Sequence, residues 1–543
     1  MKKFLIVAYI LLTCPNIQAQ NFLPSNPLEI PIVLSGTFAE LRGNHFHGGI
    51  DIKTQGRSGL KVRAVAEGYI SRIAVSPYGY GNALYVRHPE GYTSVYGHLN
   101  AFAPEIEAYV ETQLRDRSKN DGNLYPSQDL FPVSREQFIA FSGNTGGSMG
   151  PHLHFEIRDT RTEEPLNPLE FGLKVADTRA PSLRGLMWVA RDFSDRGTLK
   201  DGDTLHAHGT VGIDLFTTDR QDAANNNNGV YSIDMKVDGK TAFEARYRRI
   251  NFSTSRYINA HIDFEHWFAT GQRWTRLYEL ENNPLKLTTT YPLLEPGFTS
   301  SNGWISVARD SAIRVEIEVK DYQGNTSTTS FYLQGDLAYS PTGLQMDCGT
   351  VQTLKEGPLE VTIPANALYH DDQIEIVALS GGRYRVGEGA GLQKHMSMNW
   401  SLDSAQIRGV GWFLWEEGRK GKKSAITGDR EGNTLTFETR STGTYSLDQD
   451  VTKPEVRLLQ STTAARSGSA FREIRVKASD DKTGIDRYSA RIDGTFARID
   501  FDYKKDLLKV VVPKEISAGS HNLRIVVIDG VGNTAVKEYT ITI

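Results

Sequence analysis

The chain has 543 residues, too many for one hydrophobic core, so three to five domains of ordinary size are expected. Hydrophobic residues make up 39% and charged residues 23%, with 61 basic side chains against 65 acidic ones and a formal net charge of −4. That balance excludes a strongly electrostatic mode of binding, so neither nucleic acid nor an anionic membrane surface is an expected partner.

Residues 1–19 read as a signal peptide, in which Lys2 and Lys3 precede an apolar run from Phe4 to Thr13 and cleavage after Ala19 leaves Gln20 first. The run is too short for a bilayer, and no later segment reaches the eighteen or so apolar residues of a transmembrane span. Cys14 opens a second route, lipid anchoring, but Thr13 is a poor residue before a lipoprotein cysteine, so simple secretion is favoured. Either route places the protein in the periplasm or cell envelope. Without its leader the chain keeps Cys348 as its lone cysteine, which leaves no internal disulfide and no cysteine metal site. Any metal must then sit on His, Asp or Glu.

From 29 to 100 apolar and polar residues alternate between Gly-rich turns, an antiparallel β pattern. The spacing predicts a helix over 104–117, with Pro104 at its start and Ile106, Tyr109, Val110 and Leu114 on one face. Strands return at 138–142 and 152–158. Beyond about 175 the chain is strand and turn, and three features repeat. Val319 to Thr326 recurs as Val527 to Thr534, with Gly-Asn as the turn; Asp238-Gly239 recurs as Asp493-Gly494; and Asp177 to Pro181 recurs as Asp450 to Pro454, where one domain hands over to the next. The expected organisation is a mainly β protein. It has an antiparallel-sheet domain at 20–174, an Ig-like β-sandwich at 175–335 with an insertion near 243–308, a second β-domain at 336–449 and a C-terminal Ig-like sandwich at 450–543.

Five residues of the first domain carry chemistry: His47, Asp51, His98, His152 and His154. In an extended chain His47 and Asp51, four apart, share a face, and His152 and His154 do so across Leu153. Three such ligands with an open fourth position is the arrangement of a catalytic zinc. The stretches FHGGIDIKT, VYGHL and SGNTGGSMGPHLHFEIRD, with the run from Gly59 to Gly68, resemble the lysostaphin/LytM-type zinc metallopeptidases over about residues 40–160. The resemblance implies one zinc ion on His47, Asp51 and His154, with His98 and His152 as catalytic companions. One would be general base and the other would stabilise the oxyanion, either way round. It also implies peptidoglycan stem peptides as substrate, with the bond left open.

Glu156 would share the strand face of His154, either orienting an imidazole or lying as a surface carboxylate. His45 stays unassigned and His88 reads as a turn residue. The segment 104–137 is an insertion relative to the family and fits a lid, a specificity wall, an inhibitory segment or a plain structural helix. Intact ligands do not guarantee an open cleft, so the competing reading is a silent or autoinhibited wall-binding regulator. The β-domains could bind a protein or a glycan, although Trp412 and Trp415 fall on opposite strand faces and at most one could form a sugar platform. Asp219, Asp222 and Asn225 to Asn228 read as a solvated loop, since they lack calcium-loop spacing.

Overall fold

In the computed structural model the described residues are 22–543 apart from 208, 309–310, 336–347, 371–373, 388, 461–463 and 466–470. The expected leader and Cys14 lie outside them. The N-terminal strands are β1 (Leu34–Gly36), β2 (Ile50–Lys53), β3 (Lys61–Arg63), β4 (Gly68–Val75), β5 (Asn82–Arg87), β6 (Tyr92–Leu99) and β7 (Ala101–Phe102). Helix α1 (Pro104–Asp116) follows, then β8 (Gly122–Leu124), β9 (Pro132–Val133), β10 (Phe138–Phe141), β11 (His152–Asp159) and β12 (Pro165–Leu166). The main sheet runs β1-β2-β11-β6-β5-β4-β8, and β3-β10-β7 form a second small sheet. The alternation expected in β4 breaks once: Ile70 and Ile73 both point inward because a bulge shifts the register between Ile70 and Arg72. Strands β6 and β11 lie at the middle of the sheet and are buried almost throughout, which gives the site a rigid floor.

Beyond the first domain the chain forms three further pairs of sheets. Strands between Ser182 and Gly335 form a seven-stranded and a six-stranded sheet, and the segment 243–308 adds Thr288–Thr290 to the six-stranded one and Leu293–Glu295, Phe298–Ser301 and Trp304–Val307 to the seven-stranded one. Two five-stranded sheets follow from Gln352 to Gln449, then a five-stranded and a four-stranded sheet from Glu455 to Thr542. The last two pairs each enclose a core of their own, whereas the first pair shares its core with the N-terminal domain. The repeated turns have one geometry: Asp238 and Gly239 have φ of 50° and 79°, and Asp493 and Gly494 have 47° and 83°. Both are the positive-φ pair that a two-residue hairpin needs. Trp412 and Trp415 are both half-buried in the strand Trp412–Glu417, and the Trp415 indole donates to Asp448 at 3.0 Å, so neither stands out as a platform.

Of the face its spacing predicts, helix α1 buries Ile106, Val110 and Leu114 and leaves Tyr109 half-buried, and Glu107 and Glu111 are buried with them. Glu107 accepts a hydrogen bond from the Phe102 backbone at 2.9 Å, and Glu111 pairs with the buried Arg498 of the C-terminal sheets. Asn120, just past α1, accepts from Ile499 N at 2.8 Å and donates to the Tyr488 carbonyl at 2.9 Å. Helix α1 and the residues just after it are therefore the platform on which the C-terminal sheets dock.

Candidate active site

Antiparallel pairing of β2 with β11 sets Asp51 directly opposite His154, and on the other side β6 sets Gly97 opposite His154. His47 approaches from the loop ahead of β2. The two glycines after it let that loop lie flat on β11: a Cβ at Gly49 would sit 2.3 Å from the Phe155 carbonyl oxygen, and one at Gly48 would sit 2.9 Å from Glu156 Oε1. His98, at the end of β6, is a non-glycine residue with φ of 58°, a strained backbone that its surroundings hold in place.

His47 Nε2, Asp51 Oδ1 and His154 Nδ1 form a triangle with sides of 3.0, 3.1 and 2.9 Å. All three residues are about 95% buried. The outer nitrogens fix what faces inward. His47 Nδ1–H donates to the Thr37 carbonyl at 2.7 Å, and His154 Nε2–H donates to Glu156 Oε1 at 2.8 Å. The inward nitrogens of the neutral rings are thus lone pairs, and with the carboxylate oxygen they converge on one point as three acceptors. Such a cluster requires a positive charge. Without a metal a proton supplies it: burial opposes charge on His154, yet Asp51 and Glu156 lift it to about 9. A tetrahedral zinc with bonds of about 2.0–2.2 Å spaces its ligands about 3.3 Å apart, so this set of two imidazoles and one carboxylate fits zinc.

A second layer holds these ligands. Arg42 Nη2 donates to Asp51 Oδ2 at 2.8 Å, leaving Oδ1 to the triangle. Glu156 is fully buried and accepts from His154, from Tyr80 Oη at 2.6 Å and from Arg158 Nε at 2.6 Å. Burial pushes its carboxyl up, but Arg158 and His154 overcome that and bring it down to about 2. Of the two readings open for Glu156, the structure supports the orienting one. Arg158 lies two residues further along the same strand face, a period-2 signal that the sequence reading passed over. Thr37, Arg42 and Tyr80 carry no motif that could have marked them.

His152 and His98 flank the triangle. His152 Nδ1–H donates to the Gly150 carbonyl at 2.9 Å, and its Nε2 lies 3.3 Å from Asp51 Oδ1. Its side chain is 15% exposed, more than those of the three triangle residues. His98 Nδ1–H donates to the Thr145 carbonyl at 2.8 Å, and its ring lies 4.8 Å from that of His152. Burial, with His154 and His152 close by, pushes His98 down to about 3, so the ring is neutral. The structure thus brings together all five residues singled out in the sequence. His45 is exposed and bonds only locally, to the Gly43 carbonyl. His88 opens a turn, as its sequence suggests, with Gly91 N donating to its carbonyl at 3.2 Å, and its ring is buried between the Glu67 carbonyl at 2.7 Å and Ser94 Oγ at 2.8 Å.

Residues 45–113 match peptidase family M23. The N-terminal domain is a peptidase domain of the LytM-type M23 family. Over 127 residues the chain is 35% identical to the DD-carboxypeptidase/endopeptidase Mpg of Neisseria meningitidis, a match covering 23% of each chain. Over 121 residues it is 31% identical to an uncharacterized metalloprotease of Haemophilus influenzae, covering 22% of this chain and 20% of that one. The match therefore spans under a quarter of these relatives' length. A zinc-containing peptidase from Vibrio cholerae is a structural neighbour with 23% identity and a TM-score of 0.19, covering 28% of this chain and 40% of that one.

The M23 domain is also touched from the far end of the chain. Lys504 Nζ donates to the Asn144 and Ser148 carbonyls at 2.7 and 2.9 Å, and Tyr503 packs on Tyr78 with ring centroids 5.2 Å apart. The loop so held is the one that positions His152, because Ser148 Oγ lies 3.1 Å from His152 Nδ1. A crevice lined by Ser58, Pro77, Asn144, Tyr503 and Lys504 runs between this loop and the C-terminal sheets.

Proposed function

We propose that this chain is an exported zinc endopeptidase that hydrolyses the peptide cross-links of bacterial peptidoglycan in the periplasm or cell envelope. Residues 20–174 would be its catalytic domain, and β-domains at 175–335, 336–449 and 450–543, the first and last Ig-like, would space it or bind a protein or glycan partner. The observation that carries the reading is the convergence of three acceptor atoms whose tautomers are fixed from behind, with two more imidazoles beside them. Bound by His47, Asp51 and His154, one zinc ion would polarise the scissile carbonyl and make a water acidic at working pH. His152 is the general base. Its Nδ1–H is committed to Gly150, so Nε2, next to Asp51 Oδ1, accepts the water's proton and later delivers it to the departing amine. His98 Nε2, a lone pair for the same reason, has no hydrogen to give an oxyanion, the role expected for one of the two histidines; in this reading it instead accepts the water's other hydrogen and orients it. Glu156 and Arg42 act by positioning.

The test is incubation of residues 20–543, zinc-loaded, with cross-linked peptidoglycan and mass spectrometry of the released fragments. Peptides freed of their cross-link establish the activity, and their masses name the bond. His152→Ala should keep one zinc per chain and lose about 10²–10⁴-fold in rate. A silent or autoinhibited regulator is the second reading, favoured by the contact of Lys504 with the His152 loop. Bound zinc with no released peptide would decide for it.

A further inference from the structure

A second cluster of ligand atoms lies where the chain leaves the catalytic domain. Asp177, Asp219 and Asp321 are all buried and each offers a carboxylate oxygen within 4.8 Å of the other two. They come from distant segments: Asp177 precedes the first strand of its sheets, Asp219 follows the strand Thr210–Thr218, and Asp321 follows Ala312–Lys320. Asp177 Oδ1 accepts from Arg179 N at 3.1 Å, and Asp321 accepts from Asn325 N and Nδ2 at 2.9 and 2.7 Å. Asp219 is 3% exposed and its Oδ1 has no hydrogen-bond partner. Arg179 exerts a favourable field on Asp177 and Asp219 but forms no ion pair with the cluster among the described residues. Burial and the charges of Asp177 and Asp321 push Asp219 up to about 7.

Three carboxylates brought together out of water, one oxygen unpartnered, need a positive charge, a cation or a proton, to offset their repulsion. We infer that a calcium ion binds between Asp177, Asp219 and Asp321 and ties the catalytic domain to the sheets that follow. An all-oxygen set selects a hard cation and disfavours zinc, which prefers nitrogen and sulfur; calcium, which accepts flexible geometry and six to eight oxygens, is favoured over magnesium, which demands a near-ideal octahedron. The segment 219–229 is only in part the solvated loop its composition implies: Asp222, Asn225 and Asn227 are exposed, but its base is not. Asp219 and Asn228 close its base with reciprocal backbone bonds of 2.9 and 2.8 Å, and both side chains are buried. The same segment reaches the catalytic site: Gly229 N donates to Thr37 Oγ1 at 2.9 Å, Leu34 N donates to Gln221 Oε1 at 3.2 Å, and the Thr37 carbonyl holds His47. The ion therefore braces the segment behind a catalytic-site ligand.

The repeat at the C-terminal end supplies an internal control. Asp450, Asp480 and Asp529 form an equivalent cluster, but protein donors occupy it. Asp480 Oδ2 accepts the backbone N–H of Lys482, Thr483 and Gly484 at 3.2, 2.9 and 2.9 Å, and Asp450 accepts from Thr452 and Thr483 hydroxyls at 2.9 and 2.8 Å. Asp480 is half-buried rather than buried, and among the described residues no fully buried oxygen of this cluster lacks a hydrogen-bond partner.

The experiment is calorimetric titration of calcium chloride into the full-length, zinc-loaded, calcium-free protein, with magnesium chloride in parallel, for wild type, Asp219→Asn and Asp480→Asn. The expected result is one equivalent of calcium bound with a dissociation constant of about 10⁻³ M or tighter, magnesium at least about tenfold weaker, loss of binding in Asp219→Asn and none in Asp480→Asn. Asp219→Asn removes a buried charge and should fold. Independently of any variant, about 10 mM calcium should raise the unfolding temperature of the wild type by several degrees. No binding and no rise in the wild type would overturn the inference, leaving a proton on Asp219 as the neutralising charge. Equal magnesium binding, or unchanged calcium binding in Asp219→Asn, would overturn it as well.

Discussion

The clusters at His47–Asp51–His154 and Asp177–Asp219–Asp321 are both buried and both gather three ligand atoms into one small space, yet they are finished differently. In the first, every ligand is gripped from behind, by Thr37, Arg42 and Glu156, so that one chosen atom of each faces the centre. In the second, Asp177 and Asp321 are held by neighbouring backbone and amide donors while Asp219 is left with a bare oxygen. The difference matches the two roles proposed for them: chemistry, where ligand direction must be fixed, and holding segments together, where a large flexible ion adapts to what it finds.

The sharpest way to break that contrast is to loosen the grip on the first cluster. Glu156→Gln removes the charge that Arg158 and His154 share and leaves Arg158 buried beside a neutral amide. Zinc affinity should fall about 10–100-fold, read by competition with a chromogenic chelator, while calcium binding stays as in the wild type. Loss of both together would show that the two clusters are not independent.

A smaller effect tests the contrast between the two aspartate clusters. Asp450 is 1% exposed and its hydrogen-bonded partners hold its carboxyl below the usual range, against the burial that would raise it. Asp450→Asn should therefore destabilise the C-terminal sheets by about 1–2 kcal/mol, measured by denaturant titration. Asp219→Asn in calcium-free buffer should have the opposite sign, because it removes a repelled charge and breaks no hydrogen bond of Oδ1.

The two clusters also differ in how far they could be read from sequence. His47 with Asp51, and His152 with His154, are local spacings, and antiparallel pairing converts them directly into the triangle. The mainly β character was equally legible, from alternation and from turn pairs such as Asp238-Gly239, because period and turn chemistry are local properties. Glu156 was seen but left undecided, since a strand face does not reveal which way a neighbouring imidazole turns. The aspartate triad was invisible. Its members come from three segments joined only by the fold, and the Asn-rich stretch after Asp219 looked solvated because composition alone does not show that Asp219 and Asn228 close the loop at its base. The buried pairing of Glu111 with Arg498 was hidden for the same reason: two charges far apart in sequence became partners only when the C-terminal sheets returned to α1.

That return sets the smallest and most discriminating prediction. Lys504 is exposed and gives two hydrogen bonds to the backbone of the loop that carries Ser148, whose hydroxyl adjoins His152. It touches no ligand of the triangle, so Lys504→Ala should leave zinc content unchanged. If the C-terminal sheets steady the loop, His152, the general base proposed above, loses precision and kcat falls about two- to fivefold with KM nearly constant, the size expected for exposed charge-assisted contacts. If the same contact is a brake, kcat rises instead. Steady-state kinetics on a soluble cross-linked peptide separate the two by sign. The sign also tells whether the docking of residue 498 on α1 completes the enzyme or restrains it, because the platform and the loop are held by the same pair of sheets.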